Sequence, residues 1–241
     1  MSIGYACLTV GVPGTKLRSC TLKNSAPDVL TYLIQSNLTA LDKILDYNIQ
    51  NDIKLFRVSS DIIPFGSHLA NTLKWWEEFN HQLREVGNKA LLNGIRLSMH
   101  PGQYTVLNST NETVVERAVT DLKYHARLLD AMGLGAEHKI VIHIGGTYGN
   151  KTAALQRFVQ NYRCLDENVR LRLVIENDDR QYTIADVLSI GEREGIPVVF
   201  DNLHHHVNPD NTYSEREWII ACSNTWKRAD GPPKLHYSQQ D

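Results

Sequence analysis

Five short β-rich runs of this 241-residue chain carry an ionisable side chain at, or within two residues of, their carboxyl end: His100, His143, Glu176, Asp201 and His236. A lone strand-end His or carboxylate is usually a packed core residue or an ion-pair partner. Five converging on one end of a sheet would be costly to desolvate unless a cation compensates them, so a metal centre is the favoured reading. Three further imidazoles lie close in sequence: His68, ten residues after Val58, and His204 and His205 after Asp201. The Asp201-x-x-His204 spacing predicts one βα loop carrying both side chains. Because three consecutive imidazoles, 204–206, cannot all point inward, His204 is the chosen member. His81, His125 and His138 are read as surface or packing residues.

Imidazole and carboxylate without thiolate suit Mn²⁺, Zn²⁺, Fe²⁺ or Co²⁺ and disfavour an all-oxygen Mg²⁺ or Ca²⁺ site. One ion takes roughly four to six ligands. Seven candidates, His68, His100, His143, Glu176, Asp201, His204 and His236, therefore point to two or three ions. Ions about 3.5 to 4 Å apart hydrolyse phosphodiesters, one lowering the pKa of a bound water from 15.7 towards about 7 and another stabilising the leaving oxygen. No protein nucleophile is then required. Lys234 is separated from His236 by one residue and so shares its strand face. An ammonium cannot ligate a cation, which leaves two readings: a carbamylated lysine that bridges metals as a carboxylate does, or a head group that reaches the rim.

These residues need elements to hold them. The β-rich runs are residues 3–8, 54–58, 96–100, 139–144, 171–176, 197–201 and 234–238, and helical periodicity covers 29–48, 75–92, 114–132, 153–162, 184–194 and 215–222. Strands alternating with helices predict βα units and a parallel sheet. Within the runs, Ile140, Ile142 and Ile144 oppose Val141 and His143, Leu171, Leu173 and Ile175 oppose Val174 and Glu176, and Val198 and Phe200 oppose Val199 and Asp201. An apolar face against helices and an inner face ending in a polar group at the carboxyl end of each strand is how a TIM-type (β/α) barrel builds its sites. A doubly wound open sheet is the runner-up, but no Gly-rich phosphate fingerprint follows the first strand.

With 42% hydrophobic and 22% charged residues the chain is globular rather than disordered, and a single domain over 1–241 is expected. A formal charge of −2 excludes a globally basic nucleic-acid binder. Any binding to nucleic acid must then be local, and the stretch before Asp28 carries Lys16, Arg18 and Lys23 with no acid. Cys7, Cys20, Cys164 and Cys222 make no CxxC pair, which suits a reducing cytoplasm. Residues 1–15 are too few and too polar for a membrane span, and no basic segment of a signal peptide precedes them.

The segments HPGQYTVLNS (100–109), YHARLLDAMG (124–133), HIGGTYGNK (143–151), IENDDRQYT (175–183) and FDNLHHHVNP (200–209) together resemble the UV damage endonuclease family, and the resemblance runs from Gly4 to Asp241. It implies a metal-dependent (β/α)₈ repair nuclease, similar in plan to endonuclease IV, that nicks UV-damaged double-stranded DNA immediately 5′ of cyclobutane dimers, 6-4 photoproducts and some abasic lesions. The metal it implies is Mn²⁺. Carried over residue by residue, the ligands fall on His68, His100, His143, Glu176, Asp201, His204 and His236, with Glu176, Lys234 and His236 as the catalytic set. The lesion-contacting groups fall on Tyr5, in the first βα turn, and on Gln103 and Tyr104. Family members continue into an eighth strand with further His and Glu ligands, so the expectation is a barrel with seven strands, the eighth missing from this chain. The rivals are a sugar isomerase or epimerase on the same barrel and a non-catalytic damage-binding remnant.

Overall fold

The computed structural model describes residues 2–238, which fall into two compact units. The first comprises the chain up to His100 together with Lys123–His138; the second comprises Pro101–Leu122 and the chain from Lys139 on.

In the first unit β1 (Gly4–Ala6), β2 (Leu55–Val58) and β3 (Arg96–Met99) pair in parallel, with Tyr5 opposite Phe56 and Phe56 opposite Leu97. The 24-residue helix α1 (Pro27–Gln50) starts with proline at its first turn, where a missing N–H costs nothing, and buries Leu30, Leu33, Ile34, Leu38, Leu41, Ile44 and Leu45 at helical spacing. The helix expected over 75–92 is two, α2 (Trp75–Glu78) and α3 (Asn80–Leu92). Phe79 leaves helical geometry, at φ −105° and ψ 18°, and caps the first while opening the second.

Next in the chain is α4 (Glu112–Ala131). In the second unit β4 (Lys139–His143), β5 (Leu173–Glu176), β6 (Val198–Asp201) and β7 (Leu235–His236) are parallel neighbours. The connections carry α5 (Lys151–Arg163), α6 (Glu167–Arg172), α7 (Ile184–Glu194), α8 (Asn202–Val207) and α9 (Glu215–Asn224). A reciprocal Thr183–Asp186 capping box opens α7, and Gly195, at φ 68°, closes it. The strand expected from Leu171 begins only at Leu173. Alternate leucines imitate a strand there, but Val169 and Arg172 are buried three apart while Leu171 is exposed, which is helical. The 204 region is α8 and not a loop.

Val141, Val174 and Val199, each two residues before His143, Glu176 and Asp201, form a buried cluster against which Trp226 packs. Each such valine contributes about 1.5 kcal/mol or more by leaving water. The strands therefore stand on an apolar floor with their polar ends above it. Among the described residues no helix is long and apolar enough to cross a membrane.

Candidate metal centre

The pairing register of the second unit brings the polar strand ends together. It sets His143 opposite Glu176 and Asp201 opposite His236. Glu176, Asp201 and His236 each offer a ligand atom, all within 4.8 Å of one another. His236 Nδ1 lies 2.5 Å from Glu176 Oε1 and 4.0 Å from Asp201 Oδ2, and His143 Nε2 lies 3.8 Å from Glu176 Oε2. The His143 and His204 rings are 5.3 Å apart.

Glu176 is 1% exposed and Asp201 7%. Burial pushes the Asp201 carboxyl above its usual range, and the neighbouring Glu176 charge raises it further against the opposing His204 backbone hydrogen bond. Two buried carboxylates with imidazoles around them are an arrangement whose charge a divalent cation offsets, and the O,O,N donor set suits one. The residues present fit the group.

Asn177, which the strand-end reasoning passed over, braces this cluster. Its Nδ2 donates to Asp201 O (3.0 Å), its Oδ1 accepts from Asp201 N (2.9 Å), and its own carbonyl accepts from His204 Nδ1 at 2.9 Å. That last bond puts the ring proton on Nδ1 and leaves the Nε2 lone pair of His204 available to an acceptor of electron pairs. The Asp201 side chain in turn caps α8, accepting from His204 N at 2.9 Å. One signal for Asn177 was its place directly after Glu176, at the strand end where a polar residue meets the next strand's backbone. Of the other imidazoles, His205 sits 5.2 Å from the Phe200 ring and His206 is exposed. Lys234 is half-buried one residue before β7.

His100 and His68 belong to the first unit. His100 directly follows β3, with its carbonyl accepting from Ser60 Oγ at 3.2 Å, and His125 Nε2 lies 2.9 Å from the same hydroxyl. His125 and His138 are both buried packing residues, and His81 is at the surface. His68 is exposed, its Nδ1 accepting from Ala70 N. Tyr5 is not in the turn after the first strand but in the middle of β1. Its hydroxyl donates to Asn48 of α1 at 2.8 Å and shares a 2.7 Å hydrogen bond with Thr9, so the ring ties strand, helix and loop together. Gln103 and Tyr104 are exposed, Tyr104 by 70%. Lys16, Arg18 and Lys23 are exposed as well. Their segment is pinned where Asn37 takes both the N–H and the carbonyl of Arg18.

The family model described as UV-endonuclease UvdE matches residues 1–241. A UV DNA damage endonuclease of Clostridium perfringens is 43% identical over 242 residues, an alignment that covers 100% of this chain and 59% of that protein, so the chain spans less than two thirds of that relative's length. The crystal structure of SacUVDE superimposes with a TM-score of 0.95 at 40% identity, covering 100% of this chain and 81% of that one. A D-psicose 3-epimerase from Clostridium cellulolyticum H10 has a TM-score of 0.58 at 14% identity, covering 82% and 67%, and shares the fold alone. The fold class is that of the TIM-type (β/α) barrel, with seven strands among the described residues. The chain belongs to the UV-endonuclease UvdE family.

Proposed function

We propose that this chain is a metal-dependent DNA repair endonuclease that incises UV-damaged duplex DNA immediately 5′ of cyclobutane dimers, 6-4 photoproducts and some abasic lesions. The observation that carries the reading is the buried Glu176, Asp201 and His236 cluster in a member of this family. Glu176, Asp201 and His236 would hold a divalent ion, with His143 and His204 beside them, and the sequence adds His68 and His100 to the set. Mn²⁺ is the ion proposed. When bound, such ions supply Lewis acidity and an activated water.

The chain's own residues prepare the site. Glu176 and Asp201 bring the negative charge, Asn177 fixes the His204 tautomer, and His236 is held against Glu176. Lys234 is the residue proposed for carbamylation. Gln103 and Tyr104 are exposed and so available to a distorted base pair, with Tyr5 assigned to the same task, while Lys16, Arg18 and Lys23 supply the local positive charge that the chain lacks overall. The test is an end-labelled duplex carrying one cyclobutane dimer, incubated with the chain and Mn²⁺. A single incision 5′ of the dimer is expected. An intact duplex beside turnover of a ketohexose would replace this reading with the epimerase one.

A further inference from the structure

The loop that follows β4, residues 144–150, contains a tyrosine in an unusual state. Tyr148 has φ 49°, a left-handed conformation that residues with a Cβ avoid, and it lies between Gly145 at φ 111° and Gly149 at φ 76°. Such a conformation persists when its surroundings over-determine it, and it clusters at active sites and ligand clamps. Here the surroundings are visible. Asn108 Nδ2 donates to Gly146 O at 2.7 Å, and Tyr182, fully buried, donates its hydroxyl to the same carbonyl at 3.1 Å. Gly145 has no room for a side chain, since a Cβ there would stand 2.4 Å from Asn108 Oδ1.

The ring itself is held. Arg157 of α5 donates from Nε to Asn108 O at 2.9 Å, and its guanidinium lies over the Tyr148 ring, 5.5 Å from the centroid. A Cβ at Gly146 would be 3.3 Å from the ring, so the aromatic rests against glycine backbone. With a cation over the ring and a rigid loop behind it, Tyr148 still leaves 45% of its surface in solvent. A tyrosine serving the core would be buried. This one is exposed, touched by Arg157 and placed five residues after His143 of the candidate centre.

We propose that Tyr148 is a stacking platform for an unpaired base of the DNA substrate. The proposal rests on the endonuclease reading. A planar aromatic backed by Arg157 and by Gly146, with 45% of its surface in solvent, can offer its solvent-facing side to the π-face common to all bases, and stacking of this kind is tolerant of sequence. A base is available for it where a lesion has already weakened stacking and pairing.

The experiment uses the full chain in EDTA, so that no incision occurs. Binding is read by anisotropy against a duplex carrying one tetrahydrofuran abasic analogue with 2-aminopurine beside it, and against the same duplex undamaged. Tyr148→Phe, which keeps the ring, should bind as the parent does. Tyr148→Asn, a residue that tolerates the left-handed conformation, should unfold thermally no earlier than the parent. It should nevertheless bind the damaged duplex about ten-fold more weakly, about 1.4 kcal/mol, and lose the quenching of 2-aminopurine. Its salt slope should be unchanged, because no charge is lost. An Asn variant with the parent's affinity and quenching overturns the platform alone. A parent chain with no affinity for either duplex in EDTA, and none when Ca²⁺ replaces the chelator, overturns the endonuclease reading and the platform with it.

Discussion

Glu176 is the side chain on which the centre turns. It is almost wholly buried, faces His143 across β4 and β5, and touches His236. Glu176→Gln keeps the volume and removes the charge, so it should lower the metal stoichiometry measured on the purified chain and abolish incision. Retention of both would remove Glu176 from the ligand set. A second residue-scale expectation concerns Tyr182, whose hydroxyl burial pushes up to about 12, with Asp178 and Asp186 raising it and the Asn108 hydrogen bond opposing. The folded state then keeps the phenolic proton above pH 10 while the unfolded chain releases it. The unfolded state binds fewer protons in that window, and stability falls as pH rises from about 10 to 12. Tyr182→Phe should lose about 1 kcal/mol at pH 8 from the missing hydrogen bonds, yet show a shallower fall from about pH 10 to 12 in urea titrations. An unchanged fall would assign the alkaline loss to other groups.

At the scale of elements, one carboxamide lengthens the join between β5 and β6. The Asn177 side chain extends their ladder past the end of β5 by pairing with both backbone groups of Asp201, while its backbone carbonyl holds the His204 ring that α8 presents. Asn177→Leu leaves a buried N–H and carbonyl without partners, which costs about 1–3 kcal/mol each. The expected outcome is a lower unfolding temperature together with weaker metal binding, whereas Asn177→Asp, which keeps the acceptor for Asp201 N, should retain more of the binding. Equal metal affinity in the Leu variant would make the bridge purely structural. The strands and their polar ends were legible because period-two alternation and a terminal ionisable group are local signals, as in Val141 and His143 or Val199 and Asp201. The helices α6 and α8 were not. Leu171 and Leu173 fit a strand period by chance, and the imidazoles at 204–206 gave no apolar face to read. Asn177, Asn108 and Tyr182 escaped for another reason: their hydrogen bonds join residues 24 to 74 positions apart, and no window of sequence contains both ends.

For the whole molecule, a net charge of −2 means that the proposed affinity for DNA has to come from local cations. Substituting Lys16, Arg18 and Lys23 together by Gln should weaken duplex binding and flatten its salt dependence, since each phosphate contact contributes about 0.9 to the slope. An unchanged slope would release that segment from phosphate contact. Relaxation of UV-irradiated supercoiled plasmid by the full chain, followed with and without Mn²⁺, brings family, buried carboxylates and damaged DNA into one readout. Relaxed circles are expected from irradiated plasmid with Mn²⁺, and none from unirradiated plasmid, from EDTA-treated reactions or from Glu176→Gln. Equal relaxation of irradiated and unirradiated plasmid, or relaxation that persists in EDTA, would overturn the proposed function.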